Sequence, residues 1–358
     1  MKIGIYGGSF NPVHKGHTNI AKDAIKTLDL DKLIFVPAFK NPFRSAEKLA
    51  PAEARVKMIE LVCPEKAEVS LFEINRKGVS YTIDTIRHFE KKYPNDELFL
   101  IIGSDNVYKL NKWRNIDEIA EKAKIVVFKR DNNFSKINIK QYNAMLLKNE
   151  LYDFASTDFR KGNTKLVDEV VLDYIAKNHL YILDLAVNLN DAKRHKHAMA
   201  VSALAAQYAK MLGEDAKKAW FTGVCHDITK SFSKEWHREY LTEHGIDEST
   251  ISDFELHSIT GALWMEHEYN LKDEQILNAI RVHTTLSKDM TNFEKLIFAA
   301  DKLCEGRKFD GIQKLREEIL VNFDEGFKKL LIIMRDTLIE KRGTLTKEVA
   351  EAYEELIK

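Results

Sequence analysis

The sequence has few cysteines and no excess of charge of either sign. Its 358 residues include 3 cysteines, which lie far apart and form no CxxC pair: Cys63, Cys225 and Cys304. This pattern excludes a disulfide framework and is typical of a reducing cytosol. Lysine plus arginine and aspartate plus glutamate number 55 each, so bulk charge does not favour binding to nucleic acid or to a membrane surface.

Long hydrophobic runs are also missing. No stretch reaches the roughly 18 apolar residues of a membrane helix, and the chain starts with a strand pattern instead of a basic and apolar leader. We therefore expect a cytoplasmic protein that binds neither membranes nor nucleic acid. The length is enough for two domains that each bury a core of their own.

The first half alternates short apolar runs with helical patterns. Candidate strands cover residues 2–6, 32–37, 67–72, 98–103 and 124–129, and candidate helices include residues 16–28 and 80–93. Strands that alternate with helices predict βαβ units around a parallel sheet. We therefore expect an α/β Rossmann-like domain over residues 1–184, with helices on both faces of the sheet and ligands at the carboxyl ends of the strands.

The pattern changes after about residue 182. From there apolar residues recur at helical spacing and no strand pattern follows, so we expect an all-α domain over residues 185–358. All but four of the 12 histidines fall in this helical half. That asymmetry indicates a site in the second domain that uses imidazoles.

The stretch GIYGGSFNPVHKGH (residues 4–17) follows the first predicted strand. Gly7 and Gly8 carry no Cβ, so a ligand can approach the backbone there and positive φ is accessible. His14 and His17 stand three apart at the opening of the next predicted helix, and therefore share one face. N–H groups at a helix start together with two imidazoles form an anion site, which suits charge stabilisation in nucleotidyl transfer.

This stretch resembles the HxGH motif of the nucleotidyltransferase superfamily. Its context is similar to the bacterial nicotinate-mononucleotide adenylyltransferase family over about residues 1–181. Further similar segments are VPAFKNPFR (36–44), NRKGVSYTIDTI (75–86), IIGSDN (101–106), KWRNIDEI (112–119), FASTDFR (154–160) and VLDYIAKNHLY (171–181).

The resemblance implies site residues at the matching positions. His14 and His17 are the implied catalytic residues. Those implied to bind ATP are Gly7, Gly8, Ser9, Phe10, Gly103, Asp105, Ser156, Thr157 and Arg160. Those implied to bind nicotinate mononucleotide are Arg44, Ser80, Tyr81, Thr82 and Trp113. On physical grounds Arg160 suits a fork to a phosphate, and Tyr81 and Trp113 suit stacking on a pyridine ring.

The implied reaction joins ATP to nicotinate mononucleotide and releases pyrophosphate, with Mg²⁺ neutralising charge. Transfer to phosphopantetheine and transfer of a cytidylyl group are the alternatives within this fold. The SYT segment (residues 80–82) and the tryptophan segment argue against both. The choice between nicotinate and nicotinamide stays open, because a carboxylate needs donors that the sequence does not locate.

The helical half carries an ordered set of metal-ligand types. His197, His226 with Asp227, His257, His283 and Asp301 follow one another on successive predicted helices. Imidazole and carboxylate are common ligands of divalent transition metals. We expect His226 and Asp227 to lie on one helix, about 100° apart around its axis. Asp301 falls within an apolar helix, where an unpaired carboxylate is costly.

This set resembles the HD-domain phosphohydrolases over about residues 186–358. AIRVHTTLS, ADKLCEGR and HDITK are closest to the bacterial family that cleaves diadenosine tetraphosphate symmetrically to two ADP. The resemblance implies a metal, iron or another divalent transition metal, held by His197, His226, Asp227 and Asp301. It implies that a second metal or the substrate phosphates are bound by His257, His283, Lys230, Thr284, Thr285 and Arg307.

The expected activity of the helical half is attack of metal-activated water on a phosphorus, with Asp227 among the catalytic residues. Two alternatives stay open. One is hydrolysis of an alarmone or of a nucleoside monophosphate by the same metal site. The helical half would otherwise be a nucleotide sensor without catalysis, although retention of all six ligand candidates argues against that.

Overall fold

The computed structural model describes residues 1–42, 48–130, 136–147, 149–152, 154–342, 345 and 347–358. The chain divides into two compact units, Met1–Ile175 and Ala176–Lys358. No helix among the described residues combines the length and the apolar character needed to cross a membrane.

The first unit is built on a parallel sheet, as the sequence predicts. Among the described residues it has six strands: β1 (Lys2–Gly8), β2 (Lys32–Pro37), β3 (Ala67–Val69), β4 (Glu97–Gly103), β5 (Lys124–Phe128) and β6 (Met145–Leu146). Their order across the sheet is β3-β2-β1-β4-β5-β6, and all five pairings are parallel. The strands are nearly continuous apolar runs because helices cover both faces of such a sheet.

Helices and 3-10 segments connect these strands and follow the last of them. The helices are α1 (Lys15–Leu28), α2 (Ala52–Leu61), α3 (Phe72–Arg76), α4 (Thr82–Lys92), α5 (Ile116–Lys122), α6 (Ile137–Gln141), α7 (Ser156–Arg160) and α8 (Glu169–Lys177). The 3-10 segments are Ser104–Lys112 and Thr164–Leu166. The strand predicted over residues 67–72 is too long, because β3 ends at Val69 and Phe72 already begins α3.

The strand order places the site of this unit. The chain leaves β1 through α1 toward β2 on one side, and β4 pairs with β1 on the other side. A crevice therefore opens at the carboxyl ends of β1 and β4, where a doubly wound sheet binds its ligands. The glycine-rich stretch after β1 and the IIGSDN segment after β4 both end at this crevice.

The second unit is helical, which confirms the predicted change of class. Its helices are α9 (Ile182–Leu189), α10 (Ala192–Leu212), α11 (Ala216–Cys225), α12 (Lys234–Glu243), α13 (Leu256–His267), α14 (Glu274–Val282), α15 (Asn292–Leu303), α16 (Ile312–Val321), α17 (Phe323–Arg342) and α18 (Lys347–Ile357). A 3-10 turn covers Glu248–Thr250. The domain boundary predicted after residue 184 falls within α9.

Short polar side chains fix the starts of the helices that build the second site. Asp191 accepts from the Arg194 N–H before α10, and Asp273 accepts from the Ile276 N–H before α14. Thr291 accepts from the Glu294 N–H before α15, and the Glu294 carboxylate accepts from the Thr291 N–H in return. Each such cap stabilises its helix by about 1 kcal/mol, and it also sets where the helix begins.

Two helices of this unit approach each other closely at a glycine. A Cβ placed on Gly223 of α11 would lie 2.5 Å from the Cα of Ser202 on α10, closer than real atoms come. Because Gly223 lies one turn before His226, this contact also sets how the end of α11 is placed against α10, which carries His197.

Candidate active sites

A cavity of about 550 Å³ lies at the carboxyl edge of the sheet in the first unit. The segments that line it follow β1, β4 and β5, together with the start of α4 and the start of α7. Predicted site residues on its wall are Gly7, Gly8, Ser9, Phe10, His14, His17, Ser80, Tyr81, Thr82, Gly103, Asp105, Trp113, Ser156 and Thr157. The carboxyl edge of the sheet thus gathers predicted site residues from four separate parts of the sequence.

The two histidines of the first motif lie against each other at the start of α1. Their ring centroids are 3.6 Å apart and the rings are stacked. His14 precedes α1 with an extended backbone, and His17 lies in its first turn. The left-handed backbone conformation expected near the glycines occurs instead at Phe10, with φ 46°, while Gly7 and Gly8 remain within β1.

Burial keeps both imidazoles neutral. It lowers the pKa of His14 to about 3, with the Arg130 charge acting in the same direction. Burial also holds the pKa of His17 well below its usual range. The Nδ1 of His17 accepts from the His14 backbone N–H at 3.2 Å, so neutral His17 carries its proton on Nε2. The site can therefore donate a hydrogen bond to an anion from an uncharged ring.

Arg130 is a residue of this site that sequence reasoning missed. It follows β5 and lines the cavity, with Nη1 3.6 Å from the Asp105 carboxylate and Nη2 donating to the Phe154 carbonyl oxygen. A Cβ on Gly103 would lie 3.0 Å from its Cδ, so the glycine leaves room for the arginine. Its position just after a predicted strand could have indicated a site residue, because ligands bind at the carboxyl ends of strands in a parallel sheet.

Hydrogen bonds from three side chains hold the loop after β1. Arg55 is fully buried, and its Nη1 donates to the Ser9 carbonyl oxygen at 2.8 Å. Ser156 Oγ donates to the Pro12 carbonyl oxygen at 2.9 Å. Arg160, predicted to bind phosphate, donates from Nη1 to the Asn11 carbonyl oxygen at 2.5 Å and is not among the described residues that line the cavity.

The same cavity is lined by most of the residues predicted to bind the pyridine nucleotide. The Ser80 hydroxyl oxygen accepts from the Phe39 N–H at 3.1 Å, which fixes the turn before α4. The guanidinium carbon of Arg114 lies 5.1 Å from the Tyr81 ring centroid. Glu73, which the sequence did not single out, is buried beside them, and burial raises the pKa of its carboxyl group. Arg44 lies outside the described residues.

The predicted ligand residues of the second unit meet in one cluster. The Nε2 of His197 lies 2.9 Å from Asp301 Oδ1, and the Nε2 of His226 lies 3.8 Å from the same oxygen. The Nε2 atoms of His257 and His283 lie 3.3 and 3.4 Å from Asp227 Oδ1. The helices α10, α13 and α15 and the ends of α11 and α14 supply these residues, so the site exists only once the bundle has packed.

The position of His226 and Asp227 differs from the prediction of a shared helix. The helix α11 ends at Cys225, and His226 caps it, so both residues lie in the turn that follows. In that turn both side chains point into the cluster, with His226 Nε2 3.6 Å from Asp227 Oδ2. The end of the helix thus brings neighbours together that a continuous helix would direct about 100° apart.

Two of the imidazoles are oriented by carbonyl oxygens of their own helix ends. The Nδ1 of His226 donates to the Gly223 oxygen at 2.7 Å, and the Nδ1 of His283 donates to the Ile280 oxygen at 2.6 Å. These hydrogen bonds occupy Nδ1 and leave both Nε2 atoms aimed at the carboxylates. His197 differs, because its Nδ1 lies 3.5 Å from the Cys304 sulfur.

The cluster fits a metal ion. His226 Nε2 is buried and has no hydrogen-bond partner among the described residues, which is costly unless a further group binds it. Two triplets of ligand atoms lie within 4.8 Å of one another, His197 with His226 and Asp301, and His226 with Asp227 and His283. Imidazole and carboxylate together suit a divalent transition metal.

Cations surround the carboxylates of the cluster. The Nζ of Lys302 lies 2.6 Å from Asp301 Oδ2, and the Nη2 of Arg307 lies 2.5 Å from Asp301 Oδ1. Burial alone would raise the pKa of Asp301, but Lys302 above all, with His197 and Arg307, holds that pKa well below its usual range. For His197 burial acts in the opposite direction and lowers the pKa, yet the hydrogen bond to the Asp301 carboxylate raises it to about 9.

His257 has a polar neighbourhood instead of a carbonyl partner. The Nζ of Lys230 lies 2.7 Å from its ring nitrogens, and the Thr284 hydroxyl lies 3.2 Å from its Nε2. Burial lowers the pKa of Lys230 to about 8. A second cavity lies at this cluster, and Thr285 is not among the described residues that line it. Arg194, which the sequence analysis did not single out, does line it, and its Nη1 lies 3.8 Å from Asp227 Oδ2.

Comparison with known proteins gives two family matches. The sequence model of the Cytidylyltransferase-like family matches residues 5–162, and that of the HD domain matches residues 194–306. A solved structure titled a predicted HD superfamily hydrolase involved in NAD metabolism, from Clostridium acetobutylicum, is 30% identical and covers 49% of this chain and 95% of its own, with a TM-score of 0.45.

One relative is similar along most of the chain. It is the Mycoplasma genitalium protein named "Probable nicotinate-nucleotide adenylyltransferase/Ap4A hydrolase", which is 34% identical over 320 residues, or 86% of this chain and 89% of its own length. The Clostridium acetobutylicum protein named "Probable nicotinate-nucleotide adenylyltransferase" is 36% identical over 198 residues, or 51% of this chain and 99% of its own. The chain therefore belongs to the family of two-domain proteins that join a cytidylyltransferase-like nucleotidyltransferase domain to an HD domain.

Proposed function

We propose that the first unit transfers the adenylyl group of ATP to nicotinate mononucleotide. The observation that carries this proposal is the stacked pair of neutral imidazoles, His14 and His17, at the crevice between β1 and β4. The Mycoplasma and Clostridium relatives carry the corresponding activity in their names. Mg²⁺, the usual companion of ATP phosphates, would supply charge neutralisation when bound.

In this reaction a phosphate oxygen of the mononucleotide forms a bond to the α-phosphorus of ATP. The bond from that phosphorus to the bridging oxygen of pyrophosphate breaks, and pyrophosphate leaves. His17 donates from Nε2 to the phosphate that gains charge, and Arg130 adds a cation on the same wall. The pyridine end lies with Ser80, Tyr81, Thr82 and Trp113, and we keep Arg44 as a proposed contact.

The test supplies the full-length chain with ATP and either nicotinate mononucleotide or nicotinamide mononucleotide, and separates the products by chromatography. We expect the nicotinate dinucleotide to form faster and one pyrophosphate to appear per dinucleotide. His17→Asn should lose most of the transfer rate, while the exposed His267→Asn, in the other unit, should keep it. Equal rates with both mononucleotides would remove the proposed nicotinate preference.

For the second unit we propose metal-dependent hydrolysis of diadenosine tetraphosphate to two ADP. The carrying observation is the unpartnered Nε2 of His226 between two buried carboxylates. His197, His226, Asp227 and Asp301 would hold a divalent metal, which when bound would activate water as a nucleophile. Water adds to one of the two central phosphorus atoms, the bond from it to the central bridging oxygen breaks, and ADP leaves.

The residues of this chain bind and orient the phosphate chain. Lys230 and Arg307 stand on the cavity wall as cations, and His283, His257 and Thr284 line the side near Asp227. Thr285 stays a proposed contact that lies off the described wall. The functional boundary after residue 184 likewise stays a prediction.

A substrate panel on the manganese-loaded full-length chain separates the candidates. We expect diadenosine tetraphosphate to give ADP alone, and Asp227→Asn to lose that activity. Faster release of phosphate from a nucleoside monophosphate, or of pyrophosphate from a guanosine tetraphosphate, would favour the corresponding alternative. Metal binding without turnover of any of these substrates would favour a sensor.

A further inference from the structure

The second cavity extends well beyond the metal cluster. Its volume is about 800 Å³, within the range of pockets that enclose a whole small ligand. Besides residues of the cluster and nearby cations, its lining includes four apolar or aromatic side chains from α15, α17 and α18, which we call the apolar wall: Phe298, Met334, Leu338 and Tyr353. The HD match ends at residue 306, so the helices that carry three of these four side chains lie outside it.

Helix spacing joins this wall to the metal cluster. Phe298, Asp301 and Lys302 stand at i, i+3 and i+4 on α15 and therefore share one face. Lys302 Nζ lies 2.6 Å from Asp301 Oδ2 and 5.1 Å from the Phe298 ring centroid. The wall thus begins about one helical turn, roughly 5 Å, from a predicted metal ligand.

The facing helix contributes in the same way. Met334, Thr337 and Leu338 also stand at i, i+3 and i+4, on α17, and all three line the cavity. The Thr337 hydroxyl donates to the Ile333 carbonyl oxygen at 2.8 Å, so its proton is already used within the helix. Tyr353 of α18 completes the wall and is 2% exposed. These side chains add no charge.

We propose that the apolar wall binds the planar base of a nucleotide whose phosphates lie on the metal cluster. The composition of the lining argues for such a ligand, since the same cavity also carries six cations: Lys193, Arg194, Lys196, Lys230, Lys302 and Arg307. Met334 and Leu338 are the partly exposed members of the wall, whereas Phe298 and Tyr353 are buried. An inorganic polyphosphate would leave Met334 and Leu338 in contact with water, whereas the base of a nucleoside polyphosphate would cover them. This inference rests on the proposed phosphohydrolase function of the same site.

Photolabelling tests this placement without requiring hydrolysis. The full-length chain, loaded with Mn²⁺, is irradiated with 8-azido-ADP, and labelled tryptic peptides are identified by mass spectrometry. We expect label on peptides 330–335 and 336–341 of α17. The ADP concentration that suppresses half of this label should be at least about tenfold lower than the corresponding concentration of tripolyphosphate. Label in the first unit, whose cavity is proposed to bind ATP, serves as the internal control.

Matched variants on one helix sharpen the test. Leu338→Ala removes part of the wall, while Ile339→Ala changes a neighbour that is 42% exposed. We expect Leu338→Ala to raise the ADP concentration that half-suppresses the α17 label about fivefold to tenfold, and Ile339→Ala to leave it unchanged. Labelling of the first unit should not change in either variant.

Two results would overturn the inference. One is labelling of the unsubstituted chain that is confined to the first unit. This result does not depend on whether any variant folds. The other is equal ADP suppression in Leu338→Ala and Ile339→Ala. Loss of tetraphosphate hydrolysis alone bears on the proposed reaction, whereas the position of the label bears on the wall, so the two failures are distinguishable.

Discussion

The Ser156 hydroxyl donates a hydrogen bond of 2.9 Å to the carbonyl oxygen of Pro12. This bond ties the start of α7 to the loop that follows β1, across more than a hundred residues of sequence. The loop leads directly to His14, so Ser156 helps to position the imidazole pair as well as standing on the cavity wall.

Removing this hydroxyl should affect the reaction more than the fold. We expect Ser156→Ala to lower kcat for adenylyl transfer roughly tenfold, because the imidazoles lose their fixed position. The free energy of unfolding should fall by about 1 kcal/mol, as for one neutral hydrogen bond. Ser70→Ala is the control, since that hydroxyl accepts from the Phe72 N–H elsewhere in the unit. An unchanged kcat in Ser156→Ala would contradict the positioning role.

Arg130 should be among the most sensitive residues of the first site. We expect Arg130→Met to lower the adenylyl transfer rate roughly hundredfold, because a cation on the phosphate wall is lost. Arg130→Lys should recover part of that loss by restoring charge without the fork. Arg87→Met is the matched control, since Arg87 pairs with Glu118 on the surface. Steady-state kinetics of all three variants measure this, and similar rates for Arg130→Met and Arg87→Met would rule it out.

The buried imidazole of His14 makes the fold sensitive to acid. Burial lowers its pKa to about 3 from an ordinary 6.5, so below pH 6.5 the unfolded chain binds more protons than the folded chain. The free energy of unfolding therefore falls as pH drops from about 6.5 toward 3, by up to about 1.4 kcal/mol per pH unit for this group. His14→Asn should show a shallower decline in urea midpoint between about pH 7.5 and about pH 5.

The exposed His267→Asn should retain the slope of the unsubstituted chain. Identical slopes in His14→Asn and the unsubstituted chain would show that folding does not lower the pKa of His14.

Two buried glycines of the helical unit should respond oppositely to alanine. Gly223→Ala forces a Cβ to within 2.5 Å of the Ser202 Cα, so α10 and α11 must separate. We expect a loss of about 1–3 kcal/mol in the free energy of unfolding, with weaker metal binding because His226 moves with the helix end. Gly261→Ala meets nothing closer than 3.5 Å and should be neutral or stabilising by up to about 1 kcal/mol. Urea unfolding of both variants decides this, and equal effects would argue against the close contact.

Metal binding should stabilise the second unit. Mn²⁺ at about a hundred times its Kd is expected to add about 2.7 kcal/mol to the free energy of unfolding, and a chelator should reverse the effect. His226→Asn should lose this gain, whereas His244→Asn should keep it, since the Nδ1 of His244 donates to the Tyr240 carbonyl oxygen away from the cluster. Thermal melts with and without Mn²⁺ measure the difference. A stabilisation by Mn²⁺ that survives in His226→Asn would place the ion elsewhere.

Much of the fold follows from local sequence patterns. The apolar strands and the amphipathic helices between them carry their own periodicity, so the parallel sheet and the change to helices are predictable. The short strand β6 (Met145–Leu146) is too brief to show a period. The local pattern places Phe72 in the same strand as Val69, but Phe72 begins the helix α3. That helix depends on contacts that the local pattern does not contain.

The sites were less predictable than the elements that support them. Histidines and carboxylates in order indicate a metal cluster, but the end of α11 at Cys225, which turns His226 and Asp227 inward, depends on packing. In the sequence, Arg130 cannot be distinguished from an arginine exposed to solvent. Only the pairing of β5 with β4 shows that it lies at the ligand-binding edge of the sheet. The apolar wall was missed for the same reason, because Met334 and Leu338 read only as the inner face of a helix.

The hydrogen bonds from His226 to Gly223 and from His283 to Ile280 each span three residues of one segment. The hydrogen bond within a single turn of the chain therefore sets the direction of each ligand nitrogen, independently of packing in the distant core. An insertion of one residue inside either turn would rotate the nitrogen away from the carboxylates although every ligand remained present. Tolerance to insertion should accordingly be lowest at these two short segments, where length matters as much as chemistry.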